Sequence, residues 1–172
     1  DINDKPSAFR YPRGNGIGTE LPSINEKLEI GKGRVITEGK KIALLNFGTR
    51  LNECLIAQKN LSKKGINITI VDARFAKPLD ESLIWQLATD HEVLISIEEG
   101  SVGGFGSHVA QFLLDKNLLD NKLKFRSMIL PDKFIDHNKP EVMYKLAGLD
   151  AESIENKIFD CLNSKVIIKK TN

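Results

Sequence analysis

Cysteine is scarce in this chain: Cys54 and Cys161 are the only two among 172 residues. They lie far apart and make neither a disulfide framework nor a metal-binding spacing. Long apolar runs are missing as well. Stretches such as Val166-Ile167-Ile168 span a few residues, against the roughly 20 needed to cross a bilayer. No succession of basic, apolar and small residues opens the chain, so no secretory leader is expected. An excess of one charge is also absent, because 25 Lys and Arg face 23 Asp and Glu for a net charge of +2. A nucleic-acid binder would instead concentrate basic residues on one face. A membrane-spanning helix, a zinc module, a disulfide scaffold and a highly charged tail protein are excluded on these grounds.

What is present is a globular composition, 41% hydrophobic and 28% charged, at a length that suits one ordinary domain. The chain opens Asp1-Ile2-Asn3-Asp4 without a methionine, and the expectation is a piece of something longer. Its first forty residues are irregular, broken by Pro6, Pro12, Gly14, Gly16, Gly18 and Pro22, since proline removes a donor and glycine favours turns. Within them Ala8-Phe9-Arg10-Tyr11 reads as a short extended piece, and Gly33 to Glu38 as a strand closed by Gly39.

From Lys41 the pattern becomes regular. Ile42 to Phe47 is a nearly continuous apolar run, which suits a strand covered on both faces. Thr49 then reads as the N-cap of a helix carrying Cys54, Ala57 and Leu61 and stopped by Gly65. Ile66 to Asp72 is a second strand. Pro78 and Asp80 open a helix with Leu83, Ile84, Leu87 and Ala88 on one face. Val93 to Ile97 is a third strand, Gly103 to Gly106 leads into a helix with Val109, Phe112 and Leu113, and Phe125 to Leu130 is a fourth strand stopped by Pro131. Strands alternating with helices predict βαβ crossovers and a largely parallel sheet. Two more helices follow, one from Pro140 to Gly148 and one capped by Asp150 with Ile154, Ile158, Cys161 and Leu162 in a stripe. The tail Ser164 to Asn172 is expected to fray.

Candidate chemistry is sparse. The cluster Glu98-Glu99-Gly100-Ser101-Val102-Gly103-Gly104-Phe105-Gly106 follows a strand and opens a helix, where a phosphate can sit on free N–H groups. A dinucleotide fingerprint fails, because Val109 stands where the third glycine belongs. Two carboxylates beside the site would also repel a phosphate, so a tight strand-to-helix turn is the better reading. Glu98 and Glu99 are candidates for acid–base work, but no His, Lys or Cys adjoins them. A solvated or helix-N-terminal pair is the plainer reading. His91, His108 and His137 share no metal spacing and read as structural, and Cys54 and Cys161 as buried and inert. Arg13 sits between Pro12 and Gly14, a setting that presents a guanidinium fork to an anion. Arg74 lies just past the C-terminal end of the second strand, the sheet edge where such folds bind ligands. For both, a plain surface arginine remains the simpler alternative.

Three segments together resemble the transketolase superfamily of thiamine-diphosphate enzymes. They are Phe9-Arg10-Tyr11-Pro12-Arg13-Gly14, then Asp72-Ala73-Arg74-Phe75-Ala76-Lys77-Pro78-Leu79-Asp80, then Glu98-Glu99-Gly100 with Gly103 to Ser107. Leu130-Pro131-Asp132-Lys133-Phe134-Ile135-Asp136-His137 and Ala147-Gly148-Leu149-Asp150 narrow the likeness to the 1-deoxy-D-xylulose-5-phosphate synthase family. Asn138 departs from that family's usual glycine.

The resemblance implies a three-layer α/β domain of the transketolase C-terminal type, with a mostly parallel sheet and one antiparallel strand, over residues 31–163. Residues 1–30 would end the pyrimidine-binding domain and form a linker, and 164–172 a tail. The implied reaction condenses pyruvate with glyceraldehyde 3-phosphate and releases CO2, in a homodimer that feeds isoprenoid, thiamine and pyridoxal biosynthesis. It needs thiamine diphosphate and Mg²⁺, both carried upstream with the family's catalytic histidines and cofactor-activating glutamate, and no G-D-G metal motif occurs here. This chain would therefore hold no catalytic, cofactor or metal residue and be inactive alone. Arg13 and Arg74 match two arginines that hold the aldehyde's phosphate, while Arg10 and Tyr11 are weaker candidates. The expected setting is the cytoplasm, or the plastid in a plant or alga, with no nucleic-acid or membrane partner. The alternatives are the C-terminal domain of a 2-oxo-acid dehydrogenase beta subunit, a non-catalytic α/β binding module, and a nucleotide-binding domain.

Overall fold

The computed structural model describes residues 27–120 and 122–163, with Asn3, Asp4, Pro6, Tyr11 and Gly18. A five-stranded sheet forms the centre. Its strands are β1 (Arg34–Thr37), β2 (Ile42–Phe47), β3 (Thr69–Asp72), β4 (Val93–Glu98) and β5 (Lys124–Met128), in the spatial order β1-β3-β2-β4-β5. β1 runs antiparallel to β3 at one edge, and every other pairing is parallel. The mostly parallel sheet with one antiparallel strand is thus present as expected.

Alternation along the strands builds two cores. On one face Ile42, Leu44, Ile70, Ile95 and Ile97 pack against α1 (Leu51–Ser62) and α5 (Ala151–Asn163) through Cys54, Ala57, Leu61, Ile154 and Ile158. On the other, Ala43, Leu45, Val71 and Leu94 meet α2 (Glu81–Asp90) and α3 (Phe105–Asp115) through Ile84, Leu87, Val109 and Leu113. Both faces are covered, and so β2 and β4 read as unbroken apolar runs. The chain steps from β2 to β3 in one direction and then back across β2 to β4 in the other. Right-handed crossovers therefore place α1 and α2 on opposite faces. A short helix α4 (Pro140–Leu146) connects β5 to α5.

Several local expectations are corrected. Thr49 does not cap α1: Arg50 holds that position with no side-chain cap bond, and the Thr49 hydroxyl turns to Glu99 instead. β3 begins at Thr69 rather than Ile66, and β5 ends at Met128 rather than Leu130, whose N–H bonds Gly100 in the loop after β4. Leu162 is exposed although the rest of its stripe is buried. Asp80 and Asp150 do cap α2 and α5, accepting the Leu83 and Ser153 N–H groups. The extended piece at Ala8–Arg10 and the tail from Ser164 lie outside the described residues.

Candidate functional site

The reversal of direction around β2 opens a crevice between the C-terminal ends of β2 and β4, the position at which open α/β sheets bind ligands. It has a volume of about 340 Å³ and lies between Phe47–Thr49 and Glu98–Gly100, with Tyr11 lining it as well. A larger cavity of about 670 Å³ sits at the opposite sheet edge, against Glu38–Ile42 and Gly65–Asn67. That second cavity holds none of the candidate catalytic or binding residues.

Glu98 and Glu99 have separate fates. Glu98 is 5% exposed, and its carboxylate accepts the N–H groups of Phe105 (3.0 Å) and Gly106 (2.8 Å) at the start of α3. The helix start that a phosphate would occupy is therefore filled by the chain's own anion. A Cβ on Gly104 would fall 2.6 Å from the Glu98 carboxylate, so any larger residue there would have to push that carboxylate aside. Glu98 is a buried cap and not a solvated group. Glu99 is the outward member: it accepts from the Thr49 hydroxyl and pairs with Arg50, whose Nε lies 2.8 Å away. That contact is a charge pairing and not an aligned hydrogen bond. The Arg50 guanidinium stacks 3.5 Å over the Tyr144 ring, a cation–π contact that fixes α4 to this corner. Burial pushes the Tyr144 phenol above its ordinary pKa, and its hydrogen bond to Glu99 acts the same way.

Arg74 lies at the same sheet edge, immediately after β3. Its φ is +56°, in the left-handed region that few non-glycine residues adopt. It is the central residue of a three-residue turn closed by the Phe75 N–H onto the Ala73 carbonyl at 2.5 Å, a γ-turn, rare and strained. The residue is half-buried, and among the described residues no hydrogen bond or ion pair engages its guanidinium. Arg13 and Arg10 lie outside the described residues. Tyr11 is described, 79% exposed, and lines the crevice.

The histidines stay apart. His91 at the end of α2 bonds the Leu87 carbonyl through Nδ1 (3.0 Å) and Thr69 through Nε2 (2.7 Å), a structural arrangement. His108 is in the first turn of α3 and His137 in the loop after β5. Among the described residues no three His, Cys, Asp or Glu side chains could hold a metal ion. Both cysteines are buried, and burial pushes the Cys54 thiol up to about 12. Sequence reasoning missed the partnership of Thr49 and Arg50 with Glu99. The signal was the apposition of the ends of β2 and β4, where Phe47 pairs with Glu98.

A family model described as "Transketolase, C-terminal domain" matches residues 31–154. Among solved structures, one titled "Split gene transketolase, inactive beta4 tetramer" superposes with a TM-score of 0.71 at 25% identity, over 84% of this chain and 46% of its own. The transketolase of Campylobacter jejuni subsp. jejuni NCTC 11168 shares the fold, with a TM-score of 0.55 at 16% identity over 76% of this chain and 18% of that one. A transketolase point mutant from Pichia stipitis does likewise, at 0.56 and 17% over 77% and 18%. The chain spans under half the length of these solved relatives.

Proposed function

The chain belongs to the transketolase C-terminal domain family, and from that membership we propose that it is the C-terminal part of a 1-deoxy-D-xylulose-5-phosphate synthase. In this reading the whole enzyme condenses pyruvate with glyceraldehyde 3-phosphate and releases CO2, and Arg74, with Arg13, holds the aldehyde's phosphate. The observation that carries the site is Arg74 itself. It is a strained arginine at the ligand-binding edge of the sheet, and backbone strain of order 1–3 kcal/mol persists where function or surrounding structure demands it. Its fork matches phosphate oxygens bidentately. The motifs around Tyr11 and Pro131 support the synthase over other members of the superfamily. The reading also places the protein in a homodimer, in the cytoplasm or in the plastid of a plant or alga.

Thiamine diphosphate and Mg²⁺ do not fit the described residues. No set of metal ligands converges there, and the glycine-rich helix start is filled by Glu98. Both groups, and the carbon–carbon bond chemistry, are assigned to the upstream domains.

The test uses the enzyme with those domains in place. Arg74→Ala is expected to raise the KM for glyceraldehyde 3-phosphate roughly 10- to 100-fold, the loss of one or two charge-assisted hydrogen bonds, and to leave the KM for pyruvate within about twofold. Equal effects on the two substrates would remove the phosphate role. A second reading, a transketolase in the narrow sense, draws on the 25% identity to the split transketolase. Donor choice separates the two: the synthase consumes pyruvate, whereas a transketolase consumes a ketose phosphate.

A further inference from the structure

The connection from β3 to α2, which carries Arg74, is gripped at both ends by one short segment, Lys32-Gly33-Arg34. At its start Asp72, the last residue of β3, accepts from Arg34 through Nε (3.2 Å) and lies 3.1 Å from Nη2 of the same guanidinium. At its end Asp80, 9% exposed, collects four donors. Its Oδ2 accepts the Gly33 N–H (3.1 Å), while Oδ1 accepts from Ser82 Oγ (2.8 Å), the Leu83 N–H (3.2 Å) and the Lys32 ammonium (3.4 Å). The residue before that segment also packs against the connection. Gly31 has φ +75°, and a Cβ on it would fall 2.7 Å from Cγ of Pro78. Two carboxylates eight residues apart therefore bracket the strained residue, and both are tied to the chain that enters the sheet.

A non-glycine residue at positive φ relaxes unless its surroundings over-determine it. The bonds of Asp80 exceed what an N-cap needs, because one of its oxygens serves the incoming segment and not the helix. Burial alone would push its carboxyl up, but the bonds from Ser82, Gly33 and Leu83 and the Lys32 charge outweigh that and hold it below the usual value.

We propose that Asp80 is the positioning residue of the phosphate site: by locking Lys32-Gly33 to the end of the connection that carries Arg74, it fixes the direction in which the guanidinium faces the aldehyde's phosphate. This rests on the phosphate-binding reading of Arg74. Asp80 does not touch substrate. It acts through Arg74, so its effect appears in discrimination between aldehydes that do and do not carry a phosphate.

The experiment measures kcat/KM, in the enzyme with its upstream domains, for glyceraldehyde 3-phosphate and for unphosphorylated glyceraldehyde, with pyruvate saturating. Asp80→Asn keeps the side chain's size and removes one acceptor and the charge. Gly31→Ala strains the same junction from the other side without touching Asp80. Each is expected to lower the phosphorylated-to-unphosphorylated ratio roughly tenfold, through KM for the phosphorylated aldehyde, as a small misplacement of a binding group does. A general loss of folding would lower both aldehydes together and leave the ratio in place. Added to Arg74→Ala, Asp80→Asn is expected to lower the ratio no further, because the two act through one group. A wild-type ratio in both junction variants, beside a collapsed ratio in Arg74→Ala, would overturn the positioning role. An unchanged ratio in Arg74→Ala itself would overturn the phosphate reading and the proposal with it.

Discussion

Glu98 decides what the glycine-rich corner can do. Two N–H groups at a helix start form a slot for an anion, and here the anion is supplied from the preceding strand, 5% exposed and bonded at 2.8 and 3.0 Å. The slot has no vacancy for a nucleotide phosphate, which disposes of the nucleotide-binding alternative for this corner. Replacing the carboxylate with an amide turns one acceptor into a donor facing an N–H. Glu98→Gln is therefore expected to cost about 2 kcal/mol, seen as a fall of roughly 4–8 °C in Tm for a domain of this size. Thermal unfolding followed by circular dichroism measures it, and an unchanged Tm would mean that the carboxylate contributes nothing net. The spacing of the glycines was legible in the sequence. Which glutamate turns inward was not, because that depends on β4 ending at Glu98 in register with Phe47 of β2.

At the scale of elements, α1 and α5 are joined by carboxylates working in both directions. Glu53 of α1 accepts the Ala151 N–H at the start of α5 (2.9 Å). Glu155 of α5 accepts from Asn60 (2.8 Å) and Lys64 (2.9 Å) at the end of α1. Burial would raise the Glu155 carboxyl, but the bonds from Lys64 and Asn60 and the Lys64 charge prevail and lower it from its ordinary 4.5. A depressed folded-state pKa gives stability that is complete above the unfolded value and is lost as pH falls through the folded one. Glu155→Gln is accordingly expected to lower Tm at pH 7, by the equivalent of about 1–2 kcal/mol, while the gap to the wild type closes below about pH 4. A gap that stays constant down to acid pH would assign the loss to packing and not to charge. The helices themselves were readable from periodicity, since Cys54, Ala57 and Leu61 and then Ile154, Ile158 and Cys161 repeat at helical spacing. Thr49 misled because a hydroxyl before a helix reads as a cap, whereas Glu99, fifty residues on, competes for it through tertiary contact.

For the whole molecule, the sheet order gathers at one edge what the sequence scatters. The ends of β2, β3 and β4 bring Thr49 and Arg50, Arg74, and Glu98 and Glu99 to the same side. The order β1-β3-β2-β4-β5 is what the βαβ pattern alone leaves open, and with it right-handed crossovers on either side of β2 cover both faces of the sheet. In the proposed reading that edge recognises an anion through Arg74, and the described residues hold no converging metal ligands. His91 is bonded to the Leu87 carbonyl and to Thr69 at the start of β3, the other end of that strand. In the reading proposed above, this domain selects a substrate whose chemistry occurs in other domains. Supplied with thiamine diphosphate, Mg²⁺, pyruvate and glyceraldehyde 3-phosphate, the 172-residue chain is expected to release no CO2, and joined to its upstream domains it is expected to do so. Arg74→Ala should impair the joined enzyme more at low than at saturating glyceraldehyde 3-phosphate, because a lost phosphate contact raises KM before it lowers kcat. CO2 release by the chain alone would place a reaction centre within these residues and overturn the division between substrate recognition here and bond-making upstream.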